Sequence, residues 1–311
     1  MHFTTILATA LSLALGSQAW TTGNDGVRRA NNNVHKIGNC TQKHNPIGDY
    51  CAYWTDNNSN WVKGQYNIPN DDQENERLDL QHHLFLLTLD NKLGLSPPNL
   101  SGHKVKRVLD LGTGTGIWAM DFGDEHPEAE AVGVDLSPIQ PSLMMNFSVT
   151  NWTDYLRKGF ENLAPCGYME VQEIDAFHGS DDGTLTKNHA LFRWCDHLRN
   201  AAGKLGRPYE KTENLKRFMA EVGFTDIHET LFKWPINQWP KDKRFKELGA
   251  WHNENSTSFL EAATLAPLTR GLGWSAEEVR TFLTEVRKDL NNPKIHAYSP
   301  VRVVYGRKPE P

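Results

Sequence analysis

The sequence predicts a doubly wound, mostly parallel α/β sheet, and three consecutive stretches carry that reading. Val105–Leu111 is a short apolar run with β-branched residues, and it ends in the glycine-rich turn Asp110-Leu-Gly-Thr-Gly-Thr-Gly116. A helix follows to about Asp124, where His126-Pro127 breaks it. Ala131–Leu136 (AVGVDL) is then a second buried strand. Strand, tight loop, helix and strand in close succession open a sheet of this class.

The flanking elements follow from periodicity and caps. Pro69-Asn-Asp-Asp72 starts a helix running to about Leu93, with Asn70 or Asp71 as its cap and acidic residues in its first turn. Leu78, His82, Leu86, Leu89 and Leu93 form one stripe of that helix, while Leu80, Leu84 and Leu87 lie opposite. A helix apolar on two sides is wedged between other elements, in the core or over a site. Asp79 and His83, four residues apart, are placed to pair. Thr150 or Asn151 caps the next helix, whose stripe is Trp152, Tyr155, Leu156, Phe160 and Leu163, and Pro165 ends it. Gly167–Ile174 reads as a strand. Thr212 starts a helix stopped by Gly223, and Ile227–Ile236 is another strand. Ser275-Ala-Glu-Glu278 is a capping box, and Val301–Gly306 is the last strand.

The 311 residues carry a net charge of −5, which leaves no basic footprint for a phosphate backbone, so a nucleic-acid partner is not expected. No run of 18 apolar residues is present, so no membrane-spanning helix is expected either. The apolar run Ile6–Leu15, followed by Gly16-Ser17-Gln18-Ala19, predicts a secretory signal peptide over residues 1–19, although no Lys or Arg precedes it. Residues 20–65 then form a polar leader. In an exported chain Cys40 and Cys51 would close one disulfide there, and Asn39-Cys-Thr41 and Asn57-Asn-Ser59 would accept glycans. Cys166 and Cys195 have no metal-ligand spacing, and no metal is expected. Residues 66–311 form the main domain, with a helical insert at about 237–292. The leader points to the secretory pathway and the main domain to the cytoplasm.

Alternating glycines let a backbone turn sharply against a ligand. A dinucleotide loop requires Gly-x-Gly-x-x-Gly, and Ile117 occupies the third glycine position counted from Gly112. Asp110 at the strand end suits an ammonium and would repel a pyrophosphate. Asp135, at the end of the second strand, can accept both hydroxyls of a ribose. The cofactor so described is S-adenosyl-L-methionine.

Asp71–Pro97, the loop, Val132–Ser142 (VGVDLSPIQPS), Gly167–Asp175 (GYMEVQEID) and Pro293–Pro309 together resemble the fungal LaeA-like, TAM-domain class I methyltransferases. The resemblance runs from about residue 66 to the C-terminus. It implies a Rossmann-like seven-stranded sheet with S-adenosylmethionine across its carboxyl strand ends, a small-molecule methyl acceptor and a link to fungal secondary metabolism. Carried over by position, Asp110, Gly112, Thr113, Gly114 and Gly116 line the head-group side, and Asp135 with Leu136 the ribose.

One departure stands out. Only 16 residues separate Asp135 from Trp152, where two strands and a helix need on the order of 40 to 50. Comparison with the family implies a missing stretch between Ser142 and Leu143, holding the adenine-contacting segment and the strand beside the first one. The expected sheet therefore lacks one or two strands after the second. A non-catalytic regulatory relative is the alternative to an enzyme. No catalytic residue is diagnostic. Glu173, Asp175 and His178 stand at a strand end, and His82 and His83 on the first helix, of which His82 reads as a core histidine. The acceptor pocket is expected from the Trp234–Trp274 insert and the helix at 74–93.

Overall fold

A computed structural model describes residues 3–9, 72–100, 102–134, 149 and 151–311, with 3–9 and 72–75 described through the backbone alone. Its strands are β1 (Phe3–Thr9), β2 (Arg107–Leu111), β3 (Glu130–Val134), β4 (Leu163–Ile174), β5 (Thr225–Pro235) and β6 (Tyr298–Arg307). Its helices are α1 (Asp72–Thr88), α2 (Ile117–Glu125), α3 (Trp152–Asn162), α4 (Ala190–Lys204), α5 (Leu215–Val222), α6 (Lys243–Pro267) and α7 (Ala276–Leu290).

The strands form one six-stranded sheet in the order β3-β2-β1-β4-β6-β5. β3, β2, β1 and β4 are mutually parallel, and β6 is antiparallel to both β4 and β5. In β2 and β3 the last four residues are buried, as expected for strands covered on both faces. On one face Leu84 and Phe85 of α1 and Trp118 and Phe122 of α2 pack against Val108 and Ala131. On the other, Trp152, Tyr155 and Leu156 of α3 and Leu215, Phe218 and Met219 of α5 pack against Leu109, Leu111, Met169 and Val171. The helices after β4 and β5 build a further core from Leu191, Leu198, Phe259, Leu260, Leu283 and Val286.

The expected parallel sheet, helices on both faces and most element positions agree with this architecture. The N-terminal apolar run differs. Residues read as part of a signal peptide form β1, inserted between β2 and β4 in the middle of the sheet. FTTILAT combines three threonines with Ile and Leu and has no charge, Gly or Pro, which suits a strand as well as a leader. The position beside β2 that the short middle of the chain leaves open is thus filled from the N-terminus.

Smaller differences have local causes. α1 ends at Thr88 rather than near Leu93, because Asp90 and Asn91 turn left-handed with φ of 55° and 60°. β4 starts at Leu163 and runs through Pro165, and a 3₁₀ turn over Thr212–Asn214 precedes α5. Asn151 caps α3 by accepting from the Asp154 amide. Gly223 ends α5 at φ 110°, and the capping box at Ser275 and Glu278 is complete on both sides. Cys40, Cys51 and the two glycan acceptors lie outside the described residues. Cys166 and Cys195 are free thiols, and the described residues contain no cluster of metal ligands. Among them, no helix is long and apolar enough to cross a membrane.

Candidate functional site

The site is built around the turn that leaves β2. Gly112, Gly114 and Gly116 all have positive φ, at 85°, 56° and 79°, a region that strains any residue with a Cβ. The Gly112 and Thr113 amides donate to the Val134 carbonyl at 2.8 and 3.1 Å, which ties the turn to the end of β3. The Gly116 amide donates to the Thr113 carbonyl at 2.8 Å and starts α2, whose amino end faces the loop. Asp110 is buried at the carboxyl end of β2. The described part of the predicted head-group side is therefore brought together: a buried carboxylate, three permissive glycines and a helix amino end. A buried carboxylate of this kind can accept from an ammonium, and a helix amino end beside permissive glycines can donate backbone N–H groups to an anion. Thr113 differs in one respect. Its side chain packs back against Gly133, where an added Cβ would lie 2.4 Å from Oγ1, so Thr113 offers the ligand side its backbone. Asp135 and Leu136 lie outside the described residues.

Helix α1 covers this loop. Thr115 Oγ1 donates to Asp79 Oδ1 at 2.8 Å, and His82 Nε2 meets Asp121 Oδ2 of α2 at 2.8 Å. His82 is buried, in keeping with its reading as a core histidine. Asp79 pairs with the loop instead of with His83, which turns to the exposed Trp251 of α6 with ring centroids 5.6 Å apart. The spacing on the helix allowed the intrahelical pair; the tertiary partner across the groove wins because it fixes both elements at once.

The segment after α1 is pinned to the sheet by two side chains that periodicity did not single out. Glu170 accepts from the amides of Leu95 (3.0 Å) and Ser96 (2.6 Å), and Gln172 Nε2 donates to the Leu93 carbonyl at 3.0 Å. Trp118 Nε1 donates to the same carbonyl at 3.0 Å. Desolvation raises the Glu170 pKa, and the bonds from Ser96, Gln172 and Leu95 hold it back. Their signal in sequence was the alternation of Glu170 and Gln172 with apolar Met169 and Val171, in a strand whose third acid or amide is Glu173. Gly94 sits under this clamp, and an added Cβ would lie 2.4 Å from Asn99 Nδ2 and 2.8 Å from Glu170 Oε1. Gly94→Ala is expected to cost about 2 kcal/mol through this overpacking, read as a lower urea midpoint; an unchanged midpoint would show that the clamp yields freely.

The candidate catalytic residues separate clearly. Asp175 is consumed by structure: it accepts from Tyr209 Oη, Thr212 Oγ1 and the Phe177 amide, each at 2.9 Å. Glu173 is buried within β4 opposite Arg302 of β6. His178 lines a small enclosed cavity beyond the carboxyl end of β4, with Trp194, His252, Asn255, Phe259 and Ser299. His178 Nδ1 contacts Cys195 Sγ at 3.2 Å, and His252 Nε2 contacts Ser299 Oγ at 2.9 Å. Desolvation lowers the His178 pKa to about 4 and that of His252 to about 3, and it pushes the Cys195 thiol up to about 12. Both imidazoles are neutral at neutral pH and weakly basic, which makes them hydrogen-bonding walls rather than proton stores. Arg77 of α1 reaches this wall by donating to Asn255 Oδ1 at 2.7 Å. The cavity holds about 40 Å³, and its lining takes His252, Asn255 and Phe259 from the insert but no residue of α1.

No protein-family model matches the chain. Among curated proteins it is 35% identical over 296 residues to the "Probable methyltransferase tdiE" of Emericella nidulans, covering 85% of this chain and 92% of that protein. It is 36% identical over 275 residues to "Methyltransferase pytC" of Aspergillus terreus, covering 79% and 84%. It is 33% identical over 280 residues to the "Secondary metabolism regulator LAE1" of Cochliobolus heterostrophus, covering 80% and 91%. Since the first match spans 296 positions yet uses 85% of 311 residues, about thirty positions of that relative have no counterpart here. With a glycine loop, a strand-end carboxylate and relatives at this level of identity, the chain belongs to the fungal methyltransferase family that includes LaeA, tdiE and pytC.

Proposed function

We propose that the chain is an S-adenosyl-L-methionine-dependent methyltransferase acting on a small molecule in fungal secondary metabolism. The observation that carries this reading is the loop from Asp110 to Gly116, with three positive-φ glycines beside a buried carboxylate. Asp110 accepts the ammonium of the head group, directly or through water, and the glycine turn and the amino end of α2 receive its carboxylate. Asp135 accepts the ribose hydroxyls, with Leu136 beside it. When bound, the cofactor supplies a methyl group on a sulfonium, a carbon already activated for in-line displacement. The chain's own work is to position and desolvate. Helix α1 lies over the loop, held there by the bond from Thr115 Oγ1 to Asp79. No metal enters this scheme.

A second reading, a non-catalytic regulatory relative, is favoured by the roughly thirty missing positions and by the regulators among the relatives. Calorimetric titration of the native chain with S-adenosylmethionine decides between them. The enzyme reading expects saturable binding that Gly114→Asp weakens at least a hundredfold, because the substitution forces an acidic side chain into φ 56° beside the head group. Absence of binding by the native chain rejects the cofactor assignment and leaves the regulatory reading.

A further inference from the structure

We propose that the space between β2 and β4 is a strand-acceptor site, and that its ligand is the chain's own N-terminal segment Phe3–Thr9. The register is continuous along both edges. Thr5, Ile6, Leu7 and Ala8 lie opposite Val108, Leu109, Asp110 and Leu111 of β2. On the other side Thr5 to Thr9 lie opposite Tyr168 to Gln172 of β4. Without β1 these two strands would stand about two strand spacings apart, roughly 9.6 Å, with facing rows of unpaired N–H and C=O groups in the middle of the sheet. Such a slot selects a short parallel strand, uncharged and free of proline, and FTTILAT meets each requirement. The rest of the described sheet comes from residue 107 onward, and the chain between Asp135 and Trp152 is too short to supply a strand here by the usual crossover.

Two consequences follow. Leu7 stands level with Asp110, and Ala8 with Leu111, so the carboxyl end of β1 emerges beside the glycine loop. The inserted segment therefore supports one side of the loop, a consequence that rests on the reading of the loop as a cofactor site. The second is independent of that reading. Cleavage after Ala19 would remove β1, so processing as a secretory leader and assembly of this sheet exclude one another.

Hydrogen exchange on the full chain tests the proposal without cofactor. Amides of residues 5–8 are expected to exchange as slowly as those of β2 and β4; exchange at the rate of an unstructured peptide overturns it. Ile6→Pro removes a ladder donor in a strand paired on both edges, and a fall in Tm of about 10 °C is expected. An unchanged Tm overturns the proposal. Adding a synthetic peptide of residues 1–12 is expected to restore much of the lost Tm, while a scrambled peptide of the same composition does not. Equal rescue by both would reject a specific slot. Should Ile6→Pro yield no soluble protein, the exchange measurement on the native chain decides. Protection of β1 together with absent S-adenosylmethionine binding would leave the strand slot standing and reject the cofactor reading alone.

Discussion

Asp175→Ala is expected to lower the unfolding free energy by about 4 kcal/mol, the scale seen when one member of a buried charged network is removed. The carboxylate joins three stretches of the chain, its own turn at 175–177, residues 209–212 and β6. Its Oδ1 accepts from the Phe177 amide and from Tyr209 Oη, and its Oδ2 accepts from Thr212 Oγ1 and lies 3.9 Å from Arg302 Nη1. Arg302 in turn donates to Thr212 Oγ1 at 2.7 Å and to Glu229 at 2.9 Å. Removing the carboxylate takes away the acceptor of the Tyr209 hydroxyl proton, which desolvation and the neighbouring carboxylate hold in place, and leaves the hydroxyl its bond from the Ala176 amide at 2.8 Å. It also leaves the Arg302 guanidinium without its inward neighbour. Asp175→Asn keeps one oxygen for Phe177 and Tyr209 but turns an amide donor toward Thr212 and Arg302, and about half the loss is expected. Chemical denaturation measures both. A small effect of Asp175→Ala on stability, with a large effect on methyl transfer, would return Asp175 to the list of catalytic groups.

The second large effect is acid sensitivity. His252 is buried and His178 half-buried, and desolvation holds their native pKa values at about 3 and about 4. In the unfolded chain a histidine titrates near 6.5. At pH 8 both states are neutral and the two residues contribute nothing to the pH dependence. Below about pH 6.5 the unfolded chain binds protons that the native chain refuses, so stability falls with pH until the native values are reached. Two such groups amount to a loss on the order of 4 kcal/mol between pH 8 and pH 5, with His178 contributing the smaller share because it keeps some contact with solvent. The Cys195 thiol against His178, pushed up to about 12 by burial, stays protonated over that range. Urea midpoints measured at pH 8, 6.5 and 5 are expected to drop steadily, and His252→Gln is expected to remove about half of the slope. A flat profile would mean that both imidazoles take up protons in the native protein as they do in the unfolded chain.

Much of the site's first half could be read from the sequence because its determinants are local. Val108, Leu109 and Leu111 supply the apolar positions of a buried strand, the alternating glycines set the turn, and the capping box at Ser275 encloses its own two donors. The Trp152, Tyr155, Leu156 stripe becomes core for the same reason: helical periodicity alone decides which face is apolar. Roles that depend on a partner far along the chain were not legible. Asp175 reads as a strand-end acid until Tyr209 and Thr212 arrive from one distant segment and Arg302 from another. Asp79 and His83 satisfy a helical pair rule, yet their partners come from the glycine loop and from α6. The clamp of Glu170 on the 93–99 segment leaves only a faint trace, three acids or amides, Glu170, Gln172 and Glu173, in a buried strand.

The N-terminal run shows the same division most sharply. A mostly apolar stretch such as Phe3–Thr9 near a chain start has one composition whether it crosses a translocation channel or pairs in a sheet, and no local rule separates the two. By itself the sequence determined a doubly wound sheet, the glycine turn at Asp110–Gly116 and the shortage of chain after Asp135. Only the tertiary structure decided what meets that shortage, because strand pairing is satisfied by whichever segment presents a free backbone in register, however distant in sequence.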